Sequence, residues 1–117
     1  MKTICVMRDL YKALSEFENS FETAYGVTLN EAMILCSLKE ADSEMTSSAL
    51  SERTELKPAH TSKIIGGIED KGLIVRSLGK EDKRQMFFSL TENGQKLLKK
   101  ILADNIEIPQ LIKPLFK

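Results

Sequence analysis

Tryptophan is absent from these 117 residues, histidine occurs once, cysteine twice and proline three times. Cys5 and Cys36 are too few for a disulfide framework, and with His60 as the single histidine they are too few for a zinc site. No metal or cofactor is expected. Cys36 lies inside an apolar helical segment and reads as a small buried hydrophobe; Cys5, near the start of the chain, is more open, with only Lys2 and Arg8 as basic neighbours. His60 has no evident nucleophile or acid to work with, so the chain does not read as an enzyme. No apolar run approaches the roughly 18 residues that span a bilayer, and the first residues lack the apolar core of a signal peptide. The cytoplasm is the expected location, with no membrane partner.

Net charge is also missing, with 17 basic and 17 acidic residues. Its distribution is more telling than its sum. Residues 1–52 carry a balance of −5, residues 53–84 a balance of +3 and residues 85–117 a balance of +2. The base begins at Arg53, and asymmetry of this kind points toward an anionic partner.

What is present is helical periodicity and capping chemistry. Val6, Leu10, Ala13, Leu14, Phe17, Phe21 and Ala24 recur in steps of three and four, predicting an amphipathic helix over 5–24 that stops at Gly26. Thr28 and Glu31 match a capping box, which places a second helix from about Leu29 to Ala41. Thr46 caps a short third helix over 47–53. Pro58, favoured at a first helical position, starts a fourth that runs to Lys71 and ends on Gly72. Thr91 caps a fifth, from Glu92 to about Ala103. Between the last two, residues 73–78 and 85–90 read as short strands, joined by the charged run Lys80-Glu81-Asp82-Lys83-Arg84.

Two helices joined by a short turn and followed at once by a β-hairpin make a winged helix-turn-helix. The expected class is therefore mainly α with a small β-hairpin (α+β), in one domain of 117 residues. Residues 27–94 would form a lobe carrying the helix-turn-helix and hairpin, flanked by helices in 1–25 and 95–117. The apolar side chains of these flanks, Met7, Leu10, Leu14 and Phe17 with Ile101, Leu111, Ile112, Leu115 and Phe116, exceed what one small lobe covers. They read as a homodimer interface or, alternatively, as the completion of the monomer's own core.

Several stretches together resemble the MarR family of bacterial transcription regulators. Residues 60–76, HTSKIIGGIEDKGLIVR, follow that family's recognition helix and first wing strand. Asp82-Lys83-Arg84 matches its D-x-R wing signature, Leu90-Thr91-Glu92-Asn93-Gly94 its L-T-x-x-G, and Ala49-Leu50-Ser51-Glu52 its L-A-E helix. The likeness extends over about residues 27–98.

The resemblance implies a homodimer on an inverted-repeat operator in double-stranded DNA, with the recognition helix (about 58–71) in the major groove and the wing (about 73–90) in the minor groove. A small-molecule effector is implied as well, seated between the flanking helices and the DNA-binding lobe. It further implies that Arg84 enters the minor groove and that Asp82 holds the wing tip in shape. Lys57, Ala59, His60, Ser62 and Lys63 occupy the presenting half of the helix. A lysine there suits phosphate or guanine, His60 and Ser62 suit base edges, and Ala59 suits a thymine methyl. His60 reads alternatively as an exposed helix residue without a role. Lys80 and Lys83 would neutralise phosphates, and Glu81 opposes them.

Gly66-Gly67 departs from the family, which more often has Asp-Arg there, and each glycine inside a helix costs about 0.5–1 kcal/mol. The prolines that break the C-terminal segment are a second departure. A winged-helix module that binds protein rather than DNA is the competing reading.

Overall fold

Capping chemistry sets the element boundaries. The structure, a computed structural model, describes residues 2–104, 106 and 108–115. α1 (Lys2–Tyr25) is followed by α2 (Leu29–Ala41), β1 (Met45–Thr46), α3 (Ser47–Thr54) and α4 (Pro58–Asp70). β2 (Ile74–Leu78) and β3 (Met86–Leu90) then lead to α5 (Glu92–Ala103) and a 3-10 turn over Gln110–Leu115. The Thr28–Glu31 capping box is complete: Glu31 N donates to Thr28 Oγ1 at 3.1 Å and Thr28 N to Glu31 Oε1 at 2.9 Å. Thr46 and Thr91 cap α3 and α5 through Ala49 N and Gly94 N. Gly72, at φ 74°, closes α4 in a Schellman motif, with Gly72 N donating to Glu69 O and Leu73 N to Ile68 O.

The three strands form one antiparallel sheet in the order β1-β3-β2. β2 and β3 pair from Ile74–Leu90 to Leu78–Met86, and β1 adds Met45–Phe88 and Thr46–Phe87 on the other side of β3. The sequence predicts only the hairpin. A two-residue strand is too short to show a period of its own.

α2 lies at the centre, as its broad apolar surface predicts. Its Ile34 and Leu35 are fully buried with Leu50 of α3 and Ile68 of α4, and Phe88, Leu98 and Ile101 close the core from the sheet and α5. The base of the wing is fixed to α5 by close backbone approach. Thr91 donates from N to Leu73 O at 3.0 Å and from Oγ1 to Gly72 O at 2.7 Å. A Cβ on Gly94 would stand 2.1 Å from the same Leu73 carbonyl, so only glycine fits there.

The flanks differ from expectation in three ways. α1 begins at Lys2, and its first residues project from the body. The radius of gyration is 16.3 Å, against about 13 Å for a compact chain of this length. Ile101, expected on an interface, belongs to the core. The C-terminal flank is α-helical only to Ala103; Pro109 and Pro114 leave it a 3-10 turn that folds back against α1. Phe116, assigned to the same apolar surface, lies outside the described residues. Cys36 also departs from a buried hydrophobe: it is half-buried, and its Sγ donates to Glu40 Oε1 at 3.4 Å. Burial and that carboxylate push its thiol pKa up.

Candidate nucleic-acid interface

The turn between α3 and α4 is built from Glu55 at φ 60°, with Ser51 Oγ donating to Leu56 O at 2.5 Å to close it. α4 then buries Thr61, Ile64, Ile65 and Ile68, and the Thr61 hydroxyl is satisfied by Lys57 O at 3.0 Å. This core face leaves Ala59, His60, Ser62 and Lys63 exposed on the first two turns, with Lys57 exposed at the N-cap. The Ser62 and Ser47 hydroxyls lie 3.5 Å apart, joining the start of α3 to the presenting side of α4.

At the wing tip, Gly79 N donates to Gln85 O and Gln85 N to Asp82 O. A Cβ on Gly79 would meet Asp82 O at 2.5 Å, which requires glycine in this turn. Asp82 Oδ1 accepts from the Arg84 backbone N at 3.0 Å and from Nε at 3.1 Å, while Oδ2 accepts from Nη2 at 3.3 Å. The guanidinium, and then the backbone N–H, hold the Asp82 carboxyl below its usual range. The Arg84 side chain is 92% exposed and directed by this partner. Lys80, Glu81 and Lys83 are exposed around it.

The helix and the wing are tied together. Arg76 of β2 forms an ion pair through Nε and Nη2 with Glu69 near the end of α4, and its guanidinium lies 5.6 Å from the Phe88 ring centroid. Arg76 accordingly lowers the Glu69 pKa. Neither this link nor the Ser47–Ser62 contact leaves a local pattern in the sequence. The basic run over residues 53–84 now divides in two. Arg53 pairs with Glu40, Lys71 with Glu31, Arg76 with Glu69 and Arg84 with Asp82. Among the described residues Lys57, Lys63, Lys80 and Lys83 form no ion pair. All four were singled out by the sequence, and all four flank the start of α4 or the wing tip. Among the described residues there is no group of three or more side chains able to hold a metal ion, and no helix long and apolar enough to cross a membrane.

Comparison with known proteins agrees with this architecture. The MarR family profile matches residues 27–86. The chain is similar to the HTH-type transcriptional repressor MdtR of Bacillus subtilis, 35% identical over 78 residues, 67% of this chain and 50% of that protein. It thus spans about half the length of that relative. Among solved structures, the YusO protein of Bacillus subtilis superposes with a TM-score of 0.70 at 30% identity, over 86% of this chain and 70% of the other. The S. aureus MepR–DNA complex gives a TM-score of 0.67 at 19% identity, over 83% of this chain and 79% of the other, a likeness of fold.

Proposed function

The chain belongs to the MarR family, and on that premise we propose that it is a transcription regulator that binds duplex DNA as a homodimer. The observation that carries the reading is that, within residues 53–84, the lysines forming no ion pair among the described residues are Lys57 at the N-cap of α4, Lys63 on α4, and Lys80 and Lys83 on the wing. An exposed cation without an acid partner in the fold releases counterions when it meets a phosphate. In this reading Lys63, His60, Ser62 and Ala59 face the major groove, and Arg84, aimed by Asp82, enters the minor groove.

The dimer would form through α1 and the C-terminal segment. Ile4, Val6, Met7 and Tyr11 stand exposed on the projecting part of α1, and Leu111 and Leu115 are exposed in the 3-10 turn that packs against α1. Isolated exposed apolar residues are ordinary, but a projecting helix with several of them needs a partner. A small effector would sit in the apolar groove of about 420 Å³ lined by Leu14, Phe17, Phe21, Leu29, Ile108 and Ile112, a size suited to a small ligand. Leu29 of that groove opens α2, the helix whose Glu31 carboxylate holds Lys71 at 2.7 Å just beyond the end of α4.

Retention on immobilised duplex DNA at low salt, with release as salt rises, tests the reading. Passage through that column unretained, with capture on a protein partner instead, would favour a protein-binding winged helix.

A further inference from the structure

Gly66 and Gly67 are adjacent in the middle of α4, yet the fold accounts for only one of them. A Cβ on Gly67 would stand 2.8 Å from Glu31 Oε2, so its bareness makes room for a buried carboxylate. A Cβ on Gly66 would meet nothing within 4 Å. Its φ is helical, so no backbone conformation requires glycine, and a glycine inside a helix weakens it. Among the described residues no close approach at position 66 offsets that weakness.

The position of Gly66 suggests what does. Thr61, Ile64, Ile65 and Ile68 turn to the core. Helical periodicity then puts Ala59, Lys63, Gly66 and Asp70 on the opposite side, the side carrying the proposed base contacts. Asp70, exposed one turn beyond Gly66, is an acid that repels phosphate and marks where this surface ends. Gly66 is therefore the last position before that boundary, one turn beyond Ser62 and Lys63.

We infer that Gly66 is a positioning residue for DNA recognition: its missing side chain lets the second and third turns of α4 lie close against the duplex, bringing Ser62 and Lys63 within reach of base edges. The inference rests on the DNA-binding reading above and adds a clearance requirement at one residue. It implies a separation of stability from binding, because a side chain at 66 strengthens the isolated helix and holds it away from the duplex.

The test uses the full chain and a duplex selected by the wild-type protein from a random-sequence pool. Gly66→Ala and Gly66→Leu should both melt at or above the wild-type temperature. Affinity for the selected duplex should fall about tenfold for alanine and about a hundredfold or more for leucine, a loss that grows with side-chain size as overpacking does. Gly66 variants that bind the selected duplex like wild type overturn the inference and leave DNA binding intact. Equal losses for alanine and leucine also overturn it, because they indicate a need for helix flexibility rather than clearance. If the wild-type chain selects no duplex at all, the DNA-binding reading itself fails and this inference fails with it.

Discussion

Gly67 passes so close to Glu31 that a Cβ on it would lie 2.8 Å from Oε2. The carboxylate cannot simply swing away, because its other oxygen is engaged twice, accepting from Thr28 N at 2.9 Å and from Lys71 Nζ at 2.7 Å. One buried acid thus caps the start of α2, anchors the end of α4 and excludes a side chain from residue 67.

Gly67→Ala should therefore destabilise the chain by about 1 kcal/mol in spite of alanine's better helix propensity, because displacing Glu31 weakens two charge-assisted hydrogen bonds. In a Glu31→Ala background the same substitution should become stabilising, by about 0.5–1 kcal/mol. Urea unfolding of the four proteins in the cycle measures both values. Additive effects would show that the two residues do not interact.

The Glu31 arrangement joins segments that are far apart in the sequence. The helix boundaries were legible because their causes are local: Thr28 and Glu31 are three residues apart, and Pro58, Gly72 and Thr91 act on their own neighbours. The Glu31–Lys71 pair joins residues 40 apart, and β1 acquires its identity only from Phe87 and Phe88 across the sheet. Neither leaves a local pattern. The proposed site is legible as residue types on the outward side of one helix and one turn. What was not legible was which cations the fold would use itself, since Arg53, Lys71 and Arg76 find their acids only after folding. Periodicity identifies the apolar face of Ile101 without saying what covers it, and for this residue the alternative of the monomer's own core holds.

The wing tip should lose order in acid. Asp82 has its pKa lowered by the Arg84 guanidinium first and the Arg84 backbone N–H second. A depressed folded value contributes stability that is complete above the unfolded carboxyl pKa and disappears as pH falls through the lower, folded value. The Arg84 amide and Nε–H resonances should shift together in that window. Asp82→Asn, which keeps an acceptor for the backbone N–H, should preserve the turn better than Asp82→Ala. An Arg84 amide unaffected by Asp82→Ala would refute this account of the turn.

The proposed homodimer predicts that light scattering at micromolar concentration gives twice the mass of a 13.2 kDa chain. Tyr11→Glu should produce monomers without lowering the melting temperature of the DNA-binding lobe, since Tyr11 is 76% exposed within one chain. Deleting residues 106–117 tests the tail separately. A dimer of undiminished affinity after that deletion would assign the interface to α1 alone.

Lys63 and Arg84 should fail differently. Lys63→Ala removes a group placed near base edges and should change preference within a half-site, whereas Arg84→Ala should weaken binding to most sequences alike. Parallel binding measurements on the selected duplex and on random duplexes separate the two outcomes. Equal losses on both duplexes for both variants would remove the division of roles between recognition helix and wing.

Operator geometry and salt dependence test the assembly and the interface together. A two-fold dimer with one recognition helix per subunit should meet successive major grooves on one face of the duplex. Half-site centres should lie about 10 base pairs, roughly 34 Å, apart on an inverted repeat. Each subunit offers Lys57, Lys63, Lys80, Lys83 and Arg84, and with half of them engaged a dimer neutralises on the order of five phosphates, for a log–log salt slope of about −4 to −5. Glu81 beside Lys80, and Glu55 at the helix-turn-helix corner, act against this and should flatten the slope. Their replacement by glutamine should steepen it. Selected sites without an inverted repeat, or a slope indistinguishable from zero, would leave a protein-binding winged helix as the better account of these lysines.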